Sequence, residues 1–193
     1  GTESTGERAT IAVVPGSRRG ELERIGPILA EAARRLPDRR FVVPRAPGVD
    51  LGPLLHAMHG LDVEIMEGTH AVAEAGARAW VAWTASGTAT LELALAGCPM
   101  AIVHRVDALA AALFARMATT SRVGLPNLLA GRDLVPELLQ QRARSGAVVE
   151  WTRLMDDAAL RERSGRRLRA LAPLARGPDR AAALCALRAT LGS

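Results

Sequence analysis

The sequence predicts an α/β fold on a largely parallel sheet, and three observations carry that prediction. Strand-like and helix-like segments alternate with short connections. Residues 80–85 form an apolar run with no polar alternation until Thr84, the pattern of a strand covered on both faces. A chain of 193 residues, 49% apolar and 23% charged, has the size and composition of one globular domain, which excludes a disordered tail or a disulfide-stapled module.

Each element has its own signal. Thr10–Val14 reads as the first strand, closed by a Pro-Gly-Ser turn. The helix after it places Ile25, Ile28, Leu29, Ala32, Ala33 and Leu36 on one stripe. Residues 41–44 give a second strand, 51–58 a short helix, 63–66 a third strand and 71–79 a helix. After the fourth strand, Ser86-Gly87-Thr88 opens a helix to about residue 96, with Gly97 as its C-cap and Pro99 preventing continuation. Residues 100–103 are a fifth strand, and Asp107 caps a helix over 108–118. Beyond Ser121 the pattern changes to loop and helix. Residues 125–131 read as a loop from their Pro-Asn and terminal Gly, and Pro136 suits the first turn of a following helix. From about residue 145 the chain reads as helices broken at Pro173 and Gly177-Pro178, with Leu168, Leu171, Leu184, Leu187 and Leu191 facing the core.

Charge narrows the partners. All 25 basic residues are arginine, and the formal net charge is +5. From residue 161 onward eight arginines face only Glu162 and Asp179, a net of +6 against −1 for residues 1–160. That tail reads as a solvated helix face or as a peripheral contact with anionic lipid heads. Aromatics at 3%, with no Tyr, leave few platforms for base stacking and argue against a nucleic-acid partner. Cys98 and Cys185 lack the spacing of a zinc or redox motif, and read as core thiols in a reducing compartment. His56 and His59, at i and i+3, read as surface histidines rather than metal ligands. No apolar run reaches the roughly 18 residues of a membrane span and no signal-peptide pattern opens the chain, so it is expected to be soluble or peripheral. Residues 1–8 read as a polar, flexible lead-in, compatible with a piece of a longer protein, with the folded domain over 9–193.

Ligands of parallel sheets bind outside the carboxyl ends of the strands. Two turns there have suitable chemistry. Gly16, Ser17 and Arg18 combine a permissive backbone, a hydroxyl and a guanidinium able to grip a phosphate, although Pro-Gly-Ser is also ordinary turn chemistry. Ser86, Gly87 and Thr88 stand at a helix start, where free amides and a partial positive charge favour an anion; a plain N-cap is the simpler reading of that triplet. Glu92, one turn along an apolar helix, is costly to bury unless something binds it, and ribose hydroxyls would; a solvent-facing Glu is the bland alternative. His104, directly after a strand at the same edge, reads as a wall of the pocket. The absence of lysine excludes a P-loop, and neither a Gly-x-Ser-x-Gly elbow nor a full dinucleotide fingerprint is present.

Taken in order, these segments resemble the C-terminal half of lipid-A-disaccharide synthase, a two-domain GT-B glycosyltransferase. The resemblance rests on Pro15-Gly-Ser-Arg-Arg-Gly-Glu21, Phe41-Val-Val-Pro44, Ala85-Ser-Gly-Thr-Ala-Thr-Leu-Glu92, Cys98-Pro-Met100, Leu125-Pro-Asn-Leu-Leu-Ala-Gly-Arg132 and Val135-Pro-Glu-Leu-Leu-Gln140. It implies a Rossmann-like GT-B half-domain with a helical C-terminal region, binding a UDP-linked 2,3-diacylglucosamine and passing the sugar to lipid X. The product would be the β-1,6-linked lipid A disaccharide, made with inversion and with no metal or cofactor. On this mapping Arg18 and the Ser86-Gly87-Thr88 helix start would stabilise the departing diphosphate, and Glu92 would hold the ribose. Asn127, Arg132 and Gln140 would line the donor cleft or its edge. His104-Arg105 departs from the Tyr-Arg usual in the family at that loop.

The resemblance further implies that the acceptor lipid and the catalytic base belong to an N-terminal domain, so this chain alone is expected to bind nucleotide but turn over poorly. It places the protein in the cytoplasm, peripheral on the inner face of the inner membrane, and allows a homodimer. Two rivals remain at this point: another UDP-sugar transferase or epimerase on the same fold, and a non-catalytic nucleotide-binding relative.

Overall fold

The computed structural model of the protein describes residues 9–106 and 122–176. Six strands form one parallel sheet: β1 (Thr10–Val14), β2 (Arg40–Arg45), β3 (Asp62–Glu67), β4 (Val81–Thr84), β5 (Met100–His104) and β6 (Glu137–Leu139). Their spatial order is β3-β2-β1-β4-β5-β6, and every pairing is parallel. The order reverses direction at β1, so the crevice between the β1 and β4 ends is the topological switch point where such sheets bind ligands.

Strand pleating explains why the central strands lack polar alternation. On β1, Ile11 and Val13 enter one core while Ala12 and Val14 enter the other. The first core lies under α1 (Arg19–Arg34), α2 (Gly52–Ala57) and a later helix, Ser145–Leu154. The second lies under α3 (Ala71–Arg78) and α4 (Ala89–Ala96), joined by Leu168 and Leu171. The stripe expected on α1 is buried as read: Ile25, Ile28, Leu29, Ala32 and Ala33 face the sheet. Gly97 ends α4 in the left-handed conformation.

Three expectations for the later part of the chain are corrected. Residues 125–131 are not a loop: α5 (Leu125–Ala130) starts with Pro126 in its first turn and stops at Gly131. Pro126 ahead of an apolar run is a helix-start signal that the Pro-Asn turn reading overrode. Pro136 does not open a helix. It precedes β6, whose partner β5 pairs Ile102 with Glu137 and His104 with Leu139, so the strand alternation continues past Ser121. A three-residue edge strand is too short to show a period of two. The helix break expected at Pro173 falls slightly earlier, at residues 170–171, between α7 (Ala158–Arg169), which follows α6 (Ser145–Leu154), and α8 (Ala172–Arg176), which carries Pro173 in its first turn. The expected lead-in, the 108–118 helix with its Asp107 cap, Cys185 and the Leu184, Leu187 and Leu191 positions lie outside the described residues.

Trp83 ties α6 to the sheet. Its indole is fully buried, tilted against Phe41 with ring centroids 5.8 Å apart, and Nε1 donates to Thr152 Oγ1 at 2.9 Å. Thr152→Val keeps the shape but removes that acceptor, and a buried N–H without a partner costs about 1–3 kcal/mol. Thermal or urea unfolding of this variant is therefore expected to show a loss in that range, and an unchanged midpoint would mean the indole is not held this way. Part of the arginine excess is also accounted for: Arg161 stacks over Trp80 at 4.0 Å and donates to the Met155 carbonyl. No helix among the described residues is long and apolar enough to cross a membrane.

Candidate functional site

A cleft of about 880 Å³ opens at the switch point, with the turns after β1 and β4 as opposite walls and those after β2 and β3 closing its far side. Gly16, Ser17, Arg18, Ser86, Gly87, Thr88 and Glu92 all line it. The volume lies within the range of small-molecule and cofactor sites.

The β1 wall depends on Gly16. Its φ is +92°, and a Cβ there would stand 2.6 Å from Glu21 Oε2 and 3.1 Å from the Ala85 methyl. Both the backbone conformation and the space thus favour glycine. Arg18 stands at the N-cap of α1 with an exposed side chain and no side-chain cap bond. Such a guanidinium is available to an anion without first breaking a buried contact.

The β4 wall differs in one respect from the plain N-cap reading of the triplet. Helix α4 begins at Ala89 with Thr88 as N-cap, and no side chain caps it. Ser86 Oγ instead hydrogen-bonds His104 Nδ1 at 2.8 Å, and Thr90 Oγ1 donates backwards to the Gly87 carbonyl at 2.6 Å. No hydroxyl caps the first turn of α4, where the Thr90 and Leu91 amides donate to the Gly87 and Thr88 carbonyls instead, and at Gly87 (φ +152°) a Cβ would meet no atom within 4 Å. An anion can approach the backbone there.

The titratable groups follow from burial. Burial pushes the His104 pKa down, and the Arg24 charge adds to the effect, so its imidazole is neutral at pH 7 and can exchange one hydrogen bond with Ser86. Burial pushes Glu92 up, partly opposed by the charge of His70. Burial also pushes Glu21 up, with Arg18 and Arg24 pulling the other way.

Glu21 carries a stability prediction. A carboxylate whose folded pKa is raised destabilises the fold above that pKa, and the penalty vanishes once pH falls below the unfolded value. Glu21→Gln is thus expected to raise the melting temperature at pH 7, with the gain fading as pH drops through the ordinary carboxylate range. A gain independent of pH, or a loss at pH 7, would contradict this placement of the carboxyl group.

The structure does not bring four further candidates into the cleft. Asn127 is 1% exposed, and its Oδ1 accepts from Leu134 N at 2.7 Å and Val135 N at 3.0 Å. Its Nδ2 donates to Val135 O at 2.9 Å and Glu137 Oε1 at 2.8 Å, so the amide braces α5 against the approach to β6. Gln140 uses its side-chain amide on both backbone groups of Val106 and thereby fixes the chain directly after β5, which ends at His104. Arg132 lies exposed beyond Gly131, and Arg105 is exposed and not among the residues that line the cleft. His104 reaches the site through Ser86.

Sequence reasoning passed over several cleft residues. Glu21, Arg45, Gly68 and Thr69 line it; Arg45 ends β2, and Gly68 and Thr69 sit on the turn after β3. The rule that ligands gather at the carboxyl ends of strands pointed there as well, yet those turns have no distinctive motif. Among the described residues, no group of three His, Cys, Asp or Glu side chains could hold a metal ion.

A parallel sheet ordered 3-2-1-4-5-6 with a cleft at its switch point defines a Rossmann-like domain, and GT-B glycosyltransferases are among its structural neighbours. Solved structures support that fold. The glycosyltransferase WaaG, involved in lipopolysaccharide biosynthesis, superposes with a TM-score of 0.62 at 15% identity, over 97% of this chain and 48% of that one. The calicheamicin glycosyltransferase CalG4 does so at 0.55 and 21%, over 97% and 45%. UDP-GlcNAc 2-epimerase from Neisseria meningitidis, bound to UDP-GlcNAc, gives 0.54 and 17%, over 83% and 39%.

The chain belongs to the lipid-A-disaccharide synthetase family, whose sequence profile matches residues 4–159. It is 45% identical to the lipid-A-disaccharide synthase of Anaeromyxobacter dehalogenans (strain 2CP-C) over 166 residues, 80% of this chain and 42% of that protein. It is also 45% identical to that of Burkholderia pseudomallei (strain K96243) over 157 residues, 77% and 40% respectively. The chain thus spans about two fifths of the length of the curated relatives it matches.

Proposed function

We propose that the chain is the donor-binding half of a glycosyltransferase that moves 2,3-diacylglucosamine from its UDP derivative to lipid X, giving the β-1,6-linked lipid A disaccharide and UDP. The observation that supports this reading is the convergence of Arg18, the uncapped start of α4 and Glu92 on one cleft at the switch point.

Each part has a role in leaving-group departure. As the bond between the sugar C1 and the phosphate oxygen breaks, negative charge grows on the diphosphate. Arg18 and the N-terminal end of α4, with its partial charge of about +0.5, oppose that charge from two sides. The donors are fixed by the fold before the reaction, so little reorganisation is needed when the charge develops. Glu92, one turn further along α4, would accept from the ribose hydroxyls. The neutral His104 holds the Ser86 hydroxyl in place beside the phosphates. Identity of 45% to lipid-A-disaccharide synthases, against 17% to the 2-epimerase, favours the lipid reaction over epimerisation on the same fold.

A thermal-shift panel tests this reading. A ligand at a hundred times its Kd stabilises the native state by about 2.7 kcal/mol, roughly 5–10 °C for a chain of this size. UDP and UDP-2,3-diacylglucosamine are expected to raise the melting temperature, and ADP and GDP to leave it unchanged. Equal shifts from purine and uridine diphosphates would overturn the donor assignment.

A further inference from the structure

A second cavity, of about 600 Å³, lies between α1, α2 and the turn after β2. Its walls are Leu22 and Pro27 from α1, Val49 from the turn, and Pro53, Leu54 and Ala57 from α2. Two glycines keep it open. A Cβ at Gly26 would touch only the Leu22 side chain, at 3.7 Å, and one at Gly48 would meet nothing within 4 Å. Pro27 removes a backbone donor from the α1 wall. The charged groups on the rim are already engaged: Arg19 pairs with Glu23 at 2.7 Å, and Asp50 accepts the Gly52 amide at 2.8 Å.

Ser17 lines both this groove and the cleft, which places the two side by side. From Arg19 to Pro27 the α1 wall runs about 12 Å at 1.5 Å per residue. We infer that the groove takes one acyl chain of the lipid-linked sugar nucleotide whose diphosphate occupies the cleft. A groove with mostly apolar walls, next to an anion-complementary cleft, fits a hydrocarbon tail tethered to a polar head. A wholly polar ligand would leave these apolar walls unmatched and would have to compete with the rim pairs. The inference rests on the reading of the cleft as a UDP-sugar site.

Calorimetric titration of UDP, UDP-N-acetylglucosamine and UDP-2,3-diacylglucosamine, below the micelle concentration of the lipid, tests it. Each buried methylene strengthens binding about fourfold, so the wild-type chain is expected to prefer the acylated ligand over UDP-N-acetylglucosamine by about tenfold or more. Gly26→Leu and Ala57→Met, which fill the groove from opposite walls, are expected to erase most of that preference while binding UDP as the wild type does. UDP titration and the melting temperature report whether each variant is folded, and two variants guard against the failure of one. Wild-type binding of UDP with no acyl preference would overturn the groove assignment and leave the cleft reading standing. A preference that survives in both folded variants would overturn it as well. Failure of the wild type to bind UDP would instead remove the cleft reading and the groove assignment with it.

Discussion

Asn127→Ala is expected to lower stability by about 3 kcal/mol or more, roughly 6–12 °C in melting temperature, while leaving the UDP affinity of the folded chain unchanged. The side chain makes four hydrogen bonds at 1% exposure. Alanine would strand the amides of Leu134 and Val135 and the carbonyl of Val135 in a buried turn, and each stranded group costs about 1–3 kcal/mol. It would also remove one of the three donors to Glu137, whose carboxylate accepts from Val123 N and Gly124 N as well. Thermal melting combined with UDP titration separates the two effects. A variant that melts like the wild type but loses UDP affinity would place Asn127 in the cleft after all.

Arg18→Ala is expected to do the reverse. Its side chain is exposed, so melting should change little. Loss of a charge-assisted hydrogen bond to phosphate should weaken UDP binding by about 1–3 kcal/mol, roughly 5- to 150-fold. The difference between variant and wild type should shrink as salt rises, because an exposed guanidinium is screened. A change in melting with UDP affinity unaltered would show that Arg18 supports the fold and not the ligand.

These two residues also show what the sequence disclosed and what it concealed. Arg18 was legible because its chemistry and its place after a buried strand both point to an anion, and the switch-point rule fixes where that strand edge lies. Asn127 belongs to a motif as specific as any in the chain, yet its role depends on partners seven to ten residues away in a turn that has no periodic pattern. A buried amide that braces a turn and an amide that binds a ligand look alike in sequence. Gln140 misled for the same reason, since its side chain stands in for a strand partner at Val106.

At the level of the fold, the five strands from Thr10 to His104 were legible from apolar runs and their spacing. The sixth was not, because Glu137–Leu139 is three residues long and is held by pairing with β5 rather than by its own pattern. Glu21 stayed hidden among the charges of the first helix turn. Only the tertiary placement of its carboxyl group beside Gly16 shows that it faces the cleft.

The central claim is that the cleft between the β1 and β4 turns holds the diphosphate of a uridine nucleotide. Calorimetric titration of the wild-type chain with UDP and with UMP tests it most directly. Saturable binding of UDP at one site per chain, at least about tenfold tighter than UMP because the β-phosphate meets both Arg18 and the start of α4, is the result predicted here. A folded chain that gives no heat with UDP, or that binds UMP equally well, would contradict it.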